Sequence, residues 1–106
     1  MTATTYNHMS DTTQTGITPV MPCTLMIYAD GAGGWAAQRP GSGVYGEVRV
    51  EVKKGNGTYQ KFDDLTWRDD TVQVIDLPGA TIRVVADNVG DVSAYLMDSA
   101  PAEATA

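Results

Sequence analysis

The chain has 106 residues, enough for one small domain, and a net charge of -6 from seven Lys plus Arg against thirteen Asp plus Glu. That acidity argues against phosphate-backbone binding, which needs a basic face, and against docking on anionic lipid. One Cys (Cys23) and one His (His8) leave no internal disulfide and no Cys/His zinc cage, and no apolar run approaches the ~18 residues of a membrane span.

Residues 1–20 come first and stand apart. Seven of the first eighteen residues are Thr, and Asp11 is the only full charge among them. Neither strand nor helix periodicity is visible, so the segment is expected to be an extended or disordered arm (1–20) ahead of the β-domain (21–97). Its low charge favours an arm that orders against a neighbouring subunit, because solvated disordered tails carry more charge. Thr4, Thr5, Tyr6, Met9, Ile17 and Val20 are its candidate partner-binding residues. The first eight residues have neither a basic start nor an apolar stretch, so no secretory leader is expected there.

Residues 21–30 read as the first strand. Cys23, Leu25 and Ile27 share one face, and Thr24, Met26 and Tyr28 share the other. Both faces are largely apolar, which predicts cover on both sides, one of them a second subunit. Met26 and Tyr28 are therefore candidate contact residues. A long Gly-rich loop follows (31–43), expected to be flexible and to present Trp35.

Residues 44–53 alternate Val44, Gly46, Val48, Val50 and Val52 with Tyr45, Glu47, Arg49, Glu51 and Lys53. That is a half-buried antiparallel strand with a charged outer face. Lys54-Gly55-Asn56-Gly57 turns the chain, and 58–62 returns as its hairpin partner. Residues 63–70 read as a turn-rich link, 71–76 as a strand stopped by Leu77-Pro78-Gly79, and 81–86 as the next strand. Asp87-Asn88-Val89-Gly90-Asp91 turns again, 92–97 is the last strand, and 98–106 is a C-terminal tail. Tyr95 and Met97 in the last strand suit a subunit seam or a core edge. Eleven Val and thirteen Thr against four Leu and three Glu support the same class. The expectation is an all-β, small antiparallel sandwich or barrel-like domain of about six strands with an extended N-terminal arm.

The chemical motifs are weak. Gly31-Ala32-Gly33-Gly34-Trp35-Ala36 fits G-x-G-x-x-A, but Arg39-Pro40-Gly41 follows where a dinucleotide site needs a helix. Asp63-Asp64 and Asp69-Asp70 do not have EF-hand spacing and suit turns. Asn56-Gly57-Thr58 is a glycosylation acceptor lying in a hairpin turn. His8 in an unpatterned arm lacks the rigid support that catalysis requires, and Cys23 in an apolar strand reads as a small buried hydrophobe. Trp35, Tyr45, Tyr59 and Trp67 together would suit a sugar-stacking platform. No catalytic residue, cofactor or metal ligand is assigned.

From Val48 to Leu96 the chain resembles a recurring pattern in small structural proteins of tailed bacteriophages. A Val-rich strand leads through a Gly-containing turn to an aromatic-bearing strand, Val48-Arg49-Val50-Glu51-Val52-Lys53-Lys54-Gly55-Asn56-Gly57-Thr58-Tyr59. A turn like Asp76-Leu77-Pro78-Gly79-Ala80 then separates strands like Ile82-Arg83-Val84-Val85 and Val92-Ser93-Ala94-Tyr95-Leu96. The likeness covers about half the chain. It implies a virion β-domain, often trimeric, of the capsid decoration or cement type. The implied partners are the major capsid protein and copies of the chain itself as a homotrimer, with no nucleic acid and no membrane. A net charge of -6 would be repelled by packaged DNA, so the outer capsid surface at subunit junctions is the expected place. A receptor- or glycan-binding module of a head fibre, or a tail or neck component, is the alternative.

Overall fold

Cross-strand alternation resolves into eight strands in the computed structural model, which describes residues 3–31, 33–39 and 46–100. They are β1 (Ala3–Met9), β2 (Thr12–Thr13), β3 (Cys23–Ala29), β4 (Glu47–Lys53), β5 (Tyr59–Trp67), β6 (Thr71–Ile75), β7 (Ile82–Asp87) and β8 (Val92–Met97). They form two four-stranded antiparallel sheets, ordered β1-β8-β3-β6 and β2-β7-β4-β5. The fold is all-β, and its two layers make a small sandwich. Among the described residues there is no helix.

The core follows from period 2. Leu25 and Ile27 of β3 and Ala94 and Leu96 of β8 point inward from one sheet; Val48 and Val50 of β4 and Ile82 and Val84 of β7 meet them from the other. Each fully buried aliphatic side chain contributes roughly 1.5–3 kcal/mol of transfer free energy. Cys23 is buried among them, as its apolar strand implied, and burial pushes its thiol pKa up.

The N-terminal segment corrects the arm expectation. Residues 3–9 pair with β8 of the same chain, residues 12–13 pair with β7, and Ile17 bridges Ile82. Tyr6 and Met9 belong to the hydrophobic core, and Ile17 packs against it. The segment is extended, but its partner is its own sandwich. A bulge hides the alternation: between the Tyr6–Ala94 and Met9–Val92 pairs, Asn7 and His8 stand opposite Ser93 alone. His8 takes φ 53° at this point. Among the described residues there are therefore eight strands where about six were expected, the two additional ones lying in this segment.

The 63–70 link is also revised. Asp63 to Trp67 continue β5. Arg49 pairs with Thr66 and Glu51 with Lys61, so Phe62 to Leu65 bulge out opposite Val50. Thr66 Oγ1 closes that bulge by donating to the Phe62 carbonyl at 2.9 Å. The β4–β5 turn is as the sequence reads, with Gly57 at φ 88° and Asn56 Oδ1 accepting from the Thr58 N–H.

The Gly-rich loop is packed rather than free over its described part. Gly34 accepts hydrogen bonds from the Gly90 and Asp91 N–H groups at 2.9 and 3.1 Å. A Cβ on Gly34 would fall 2.3 Å from the Ala29 Cβ, so only glycine admits this approach. Residues 40–45, including Tyr45, and the 101–106 part of the tail lie outside the described residues.

Candidate interaction surface

The two outer faces of the sandwich differ in chemistry. On the β1-β8-β3-β6 sheet, outward positions fall on Thr5, Tyr95, Met97, Thr24, Met26, Tyr28, Val72 and Val74, none of them charged. The register makes them neighbours: Thr5 is opposite Tyr95, Tyr95 opposite Met26, and Met26 opposite Val72. Met97 and Val74 flank Thr24 in the same way. Met26, Val72 and Val74 are 37%, 58% and 70% exposed, so this is an open apolar face.

The outer face of the β2-β7-β4-β5 sheet is closed by its own charges. Arg49 donates to Glu51 at 2.8 Å and to Glu47 at 3.0 Å, and its guanidinium also reaches Asp87 at 3.3 Å. Lys61 pairs with Glu47 at 2.9 Å and Arg83 with Glu51 at 2.7 Å. Arg83 lies over the Tyr59 ring, 4.0 Å from its centre. This cover leaves Glu47 and Glu51 only 4% and 7% exposed. Burial alone would raise both carboxyl pKa values. The bonds from Lys61 and Arg49 to Glu47, and from Arg49 and Arg83 to Glu51, outweigh it and hold both below the ordinary carboxylate range.

At one end of the apolar sheet the β1 bulge brings His8 to β3 and β8. Its Nδ1 lies 2.9 Å from Asp91 Oδ1 and 3.5 Å from Asp30 Oδ2. Ser93 Oγ accepts from the His8 N–H and donates to Asp30. The Asp91 hydrogen bond, then the charges of Asp91 and Asp30, raise the imidazole pKa. Among the described residues this is the group whose side chains converge closely enough for a cation, their ligand atoms lying within 4.8 Å of one another. The imidazole's hydrogen bond to Asp91, with Asp30 beside it, already accounts for the arrangement and ties β1 to the ends of β3 and β8.

Trp35 is tied down, which corrects its expected display on a flexible loop. Its indole N–H donates to Asp70 Oδ1 at 2.7 Å, and the Ala29 N–H donates to the same oxygen at 3.0 Å. These two bonds, the indole first, lower the Asp70 pKa. Trp35 and Trp67 both pack on the core, while Tyr59 lies under Arg83 on the charged face. The described aromatics thus form no shared sugar platform.

Of the residues expected to contact a partner, Thr5, Met26, Tyr28, Tyr95 and Met97 come together on one face. Thr4 lies opposite Leu96, whose side chain is in the core. Tyr6 and Met9 are buried and unavailable to a partner, and Ile17 is committed to the core edge. Val20 is exposed but held by backbone contacts to the 98–99 region, its N–H on Asp98 and its carbonyl on the Ser99 N–H. Val72 and Val74 were missed. Their signal was the Thr71-Val72-Gln73-Val74-Ile75 alternation, in which an apolar pair faces away from buried Ile75. No family model, curated protein or solved structure matches the chain.

Proposed function

We propose that the chain is a non-enzymatic virion structural protein, a bacteriophage capsid decoration or cement module. The β1-β8-β3-β6 face lies on the outer capsid surface at junctions between major capsid subunits, and copies associate there, with a homotrimer as the working form. The observation that carries this reading is the contrast between faces: one pairs Glu47 and Glu51 with Arg49, Lys61 and Arg83, and the other exposes Met26, Val72 and Val74 on strands that hold no Asp, Glu, Lys or Arg. A rigid sandwich with one such face is built to be covered. The net charge of -6 suits the outside of a DNA-filled particle better than the inside. Many weak copies of one contact over a lattice sum through multivalency, and so oppose the outward pressure of packaged DNA.

The test is co-sedimentation of the purified protein with emptied capsids of the encoding phage. Saturable binding at a copy number comparable to the capsid protein, lost in Val72→Lys, supports the proposal. A few copies per particle place it in a fibre or tail, and no binding removes the capsid as partner.

A further inference from the structure

We infer that the cleft between β5 and β6 is a docking socket for an extended peptide segment of a partner protein, one that carries an apolar side chain next to Lys or Arg. The inference holds whether or not that partner is a capsid subunit.

The cleft has a volume of about 380 Å³ and lies where the two sheets part at one edge of the sandwich. Val52 and Ile75 line it, with Leu65 and Phe62 from the β5 bulge on one side and Val74 and Leu77 on the other. This lies at the small end of ligand-pocket sizes and fits a side chain or two rather than a cofactor. The bulge is what builds the wall. Phe62 to Leu65 have no ladder partner on β4, and Phe62 is 45% exposed beside the opening.

Backbone chemistry favours a strand as the occupant. β6 pairs with β3 along one edge only, and β5 pairs with β4 along one edge only. The β6 sequence Thr71-Val72-Gln73-Val74-Ile75 contains no charge and no proline. Those are the devices by which exposed edges avoid pairing. An added strand would satisfy its free amides and carbonyls while setting alternate side chains into the cleft.

Charge selects the kind of strand. Asp64 and Asp76 are the two ionisable side chains lining the cleft, and both are exposed. Among the described residues neither has an ion-pair partner, whereas Glu47, Glu51 and Asp87 on the outer face of the β2-β7-β4-β5 sheet are paired. Two unpaired carboxylates beside an apolar cleft complement a cation on an apolar strand. A second copy of the chain is disfavoured, because pairing β6 with β6 would bring the same carboxylates together in a chain of net charge -6.

The experiment is an amide-shift titration of the full chain with three blocked hexapeptides: alternating valine and lysine, alternating valine and glutamate, and alternating serine and lysine. The valine–lysine peptide is expected to shift Leu65, Val74, Ile75 and Leu77 saturably, and to bind about tenfold more tightly than either control. Asp64→Asn with Asp76→Asn is expected to remove most of that advantage while the rest of the spectrum is unchanged, both side chains being exposed. Equal binding of the valine–glutamate peptide, or unchanged binding by the double variant, overturns the charge selection. Shifts elsewhere, or none at millimolar peptide, overturn the socket itself. Capsid co-sedimentation is read separately, so either proposal can fail while the other stands.

Discussion

Met26 and Val72 stand directly opposite one another on the outer face of the β1-β8-β3-β6 sheet, both open to solvent. The pair lies at the centre of the proposed contact. Val72→Lys touches no core residue and is expected to change stability by less than about 0.5 kcal/mol. It is expected to weaken capsid binding by tenfold or more, since a buried unpaired charge opposes docking. Denaturant unfolding and co-sedimentation measured on the same variant separate the two effects.

The N-terminal strand is expected to behave as core. Met9 is almost completely buried, so Met9→Ala should cost about 3 kcal/mol. A free arm would lose nothing. Tyr6 gives the opposite sign. Its hydroxyl is buried with no hydrogen-bond partner, and burial raises its pKa. Tyr6→Phe removes that unsatisfied group and is expected to stabilise the fold by about 1 kcal/mol. Urea unfolding of both variants checks the pair, and a neutral Met9→Ala would detach β1 from the core.

The latch at His8 should weaken with alkali. Its folded pKa is raised, so its contribution is fully present below the ordinary histidine pKa and is lost as pH rises through the folded value. The facing groups are Asp91 and Asp30, with Ser93 between them and the backbone. Amide protection in β1, corrected for intrinsic exchange, should fall as pH rises past the ordinary histidine pKa. His8→Asn keeps a side chain that tolerates φ 53° and should abolish the pH dependence. An unchanged profile in that variant contradicts the latch.

The charged face should fail in acid. Glu47 and Glu51 have lowered pKa values, so their contribution is present above the ordinary value of 4.5 and is lost as pH falls through the lower folded values. Arg49 bonds to both, and Arg49→Met leaves two shielded carboxylates short of a partner, at a cost of about 2 kcal/mol. The loss should be largest near neutral pH and shrink as pH falls below the ordinary carboxylate value and the carboxylates protonate. Thermal melts across that range read the sign.

Strands that obey strict alternation could be read from the residues. Val48, Val50 and Val52 are inward neighbours in the folded chain because Glu47, Arg49 and Glu51 are outward, and that contrast is visible in one dimension. Two bulges hid the rest. Asn7 and His8 break the period between Tyr6 and Met9, so an edge strand with polar outward residues looked patternless. Asp63 and Asp64 imitated a turn because they sit in a bulge of β5. Met26 and Tyr95 were legible as outer-face neighbours because apolar side chains lie on both faces of their strands. That Glu47 would be buried on the outer face depends on Lys61 of β5 and on Arg68 just after it, whose positions follow from a register only the fold defines.

The most direct test of the proposed capsid role is electron cryomicroscopy of intact particles that carry this chain. The expected result is density for this sandwich on the outer capsid surface at subunit junctions, with Met26, Val72 and Val74 turned toward the capsid and the Arg49–Glu47 face toward solvent. Density confined to the tail or a fibre, or a sandwich seated with its charged face on the capsid, contradicts it.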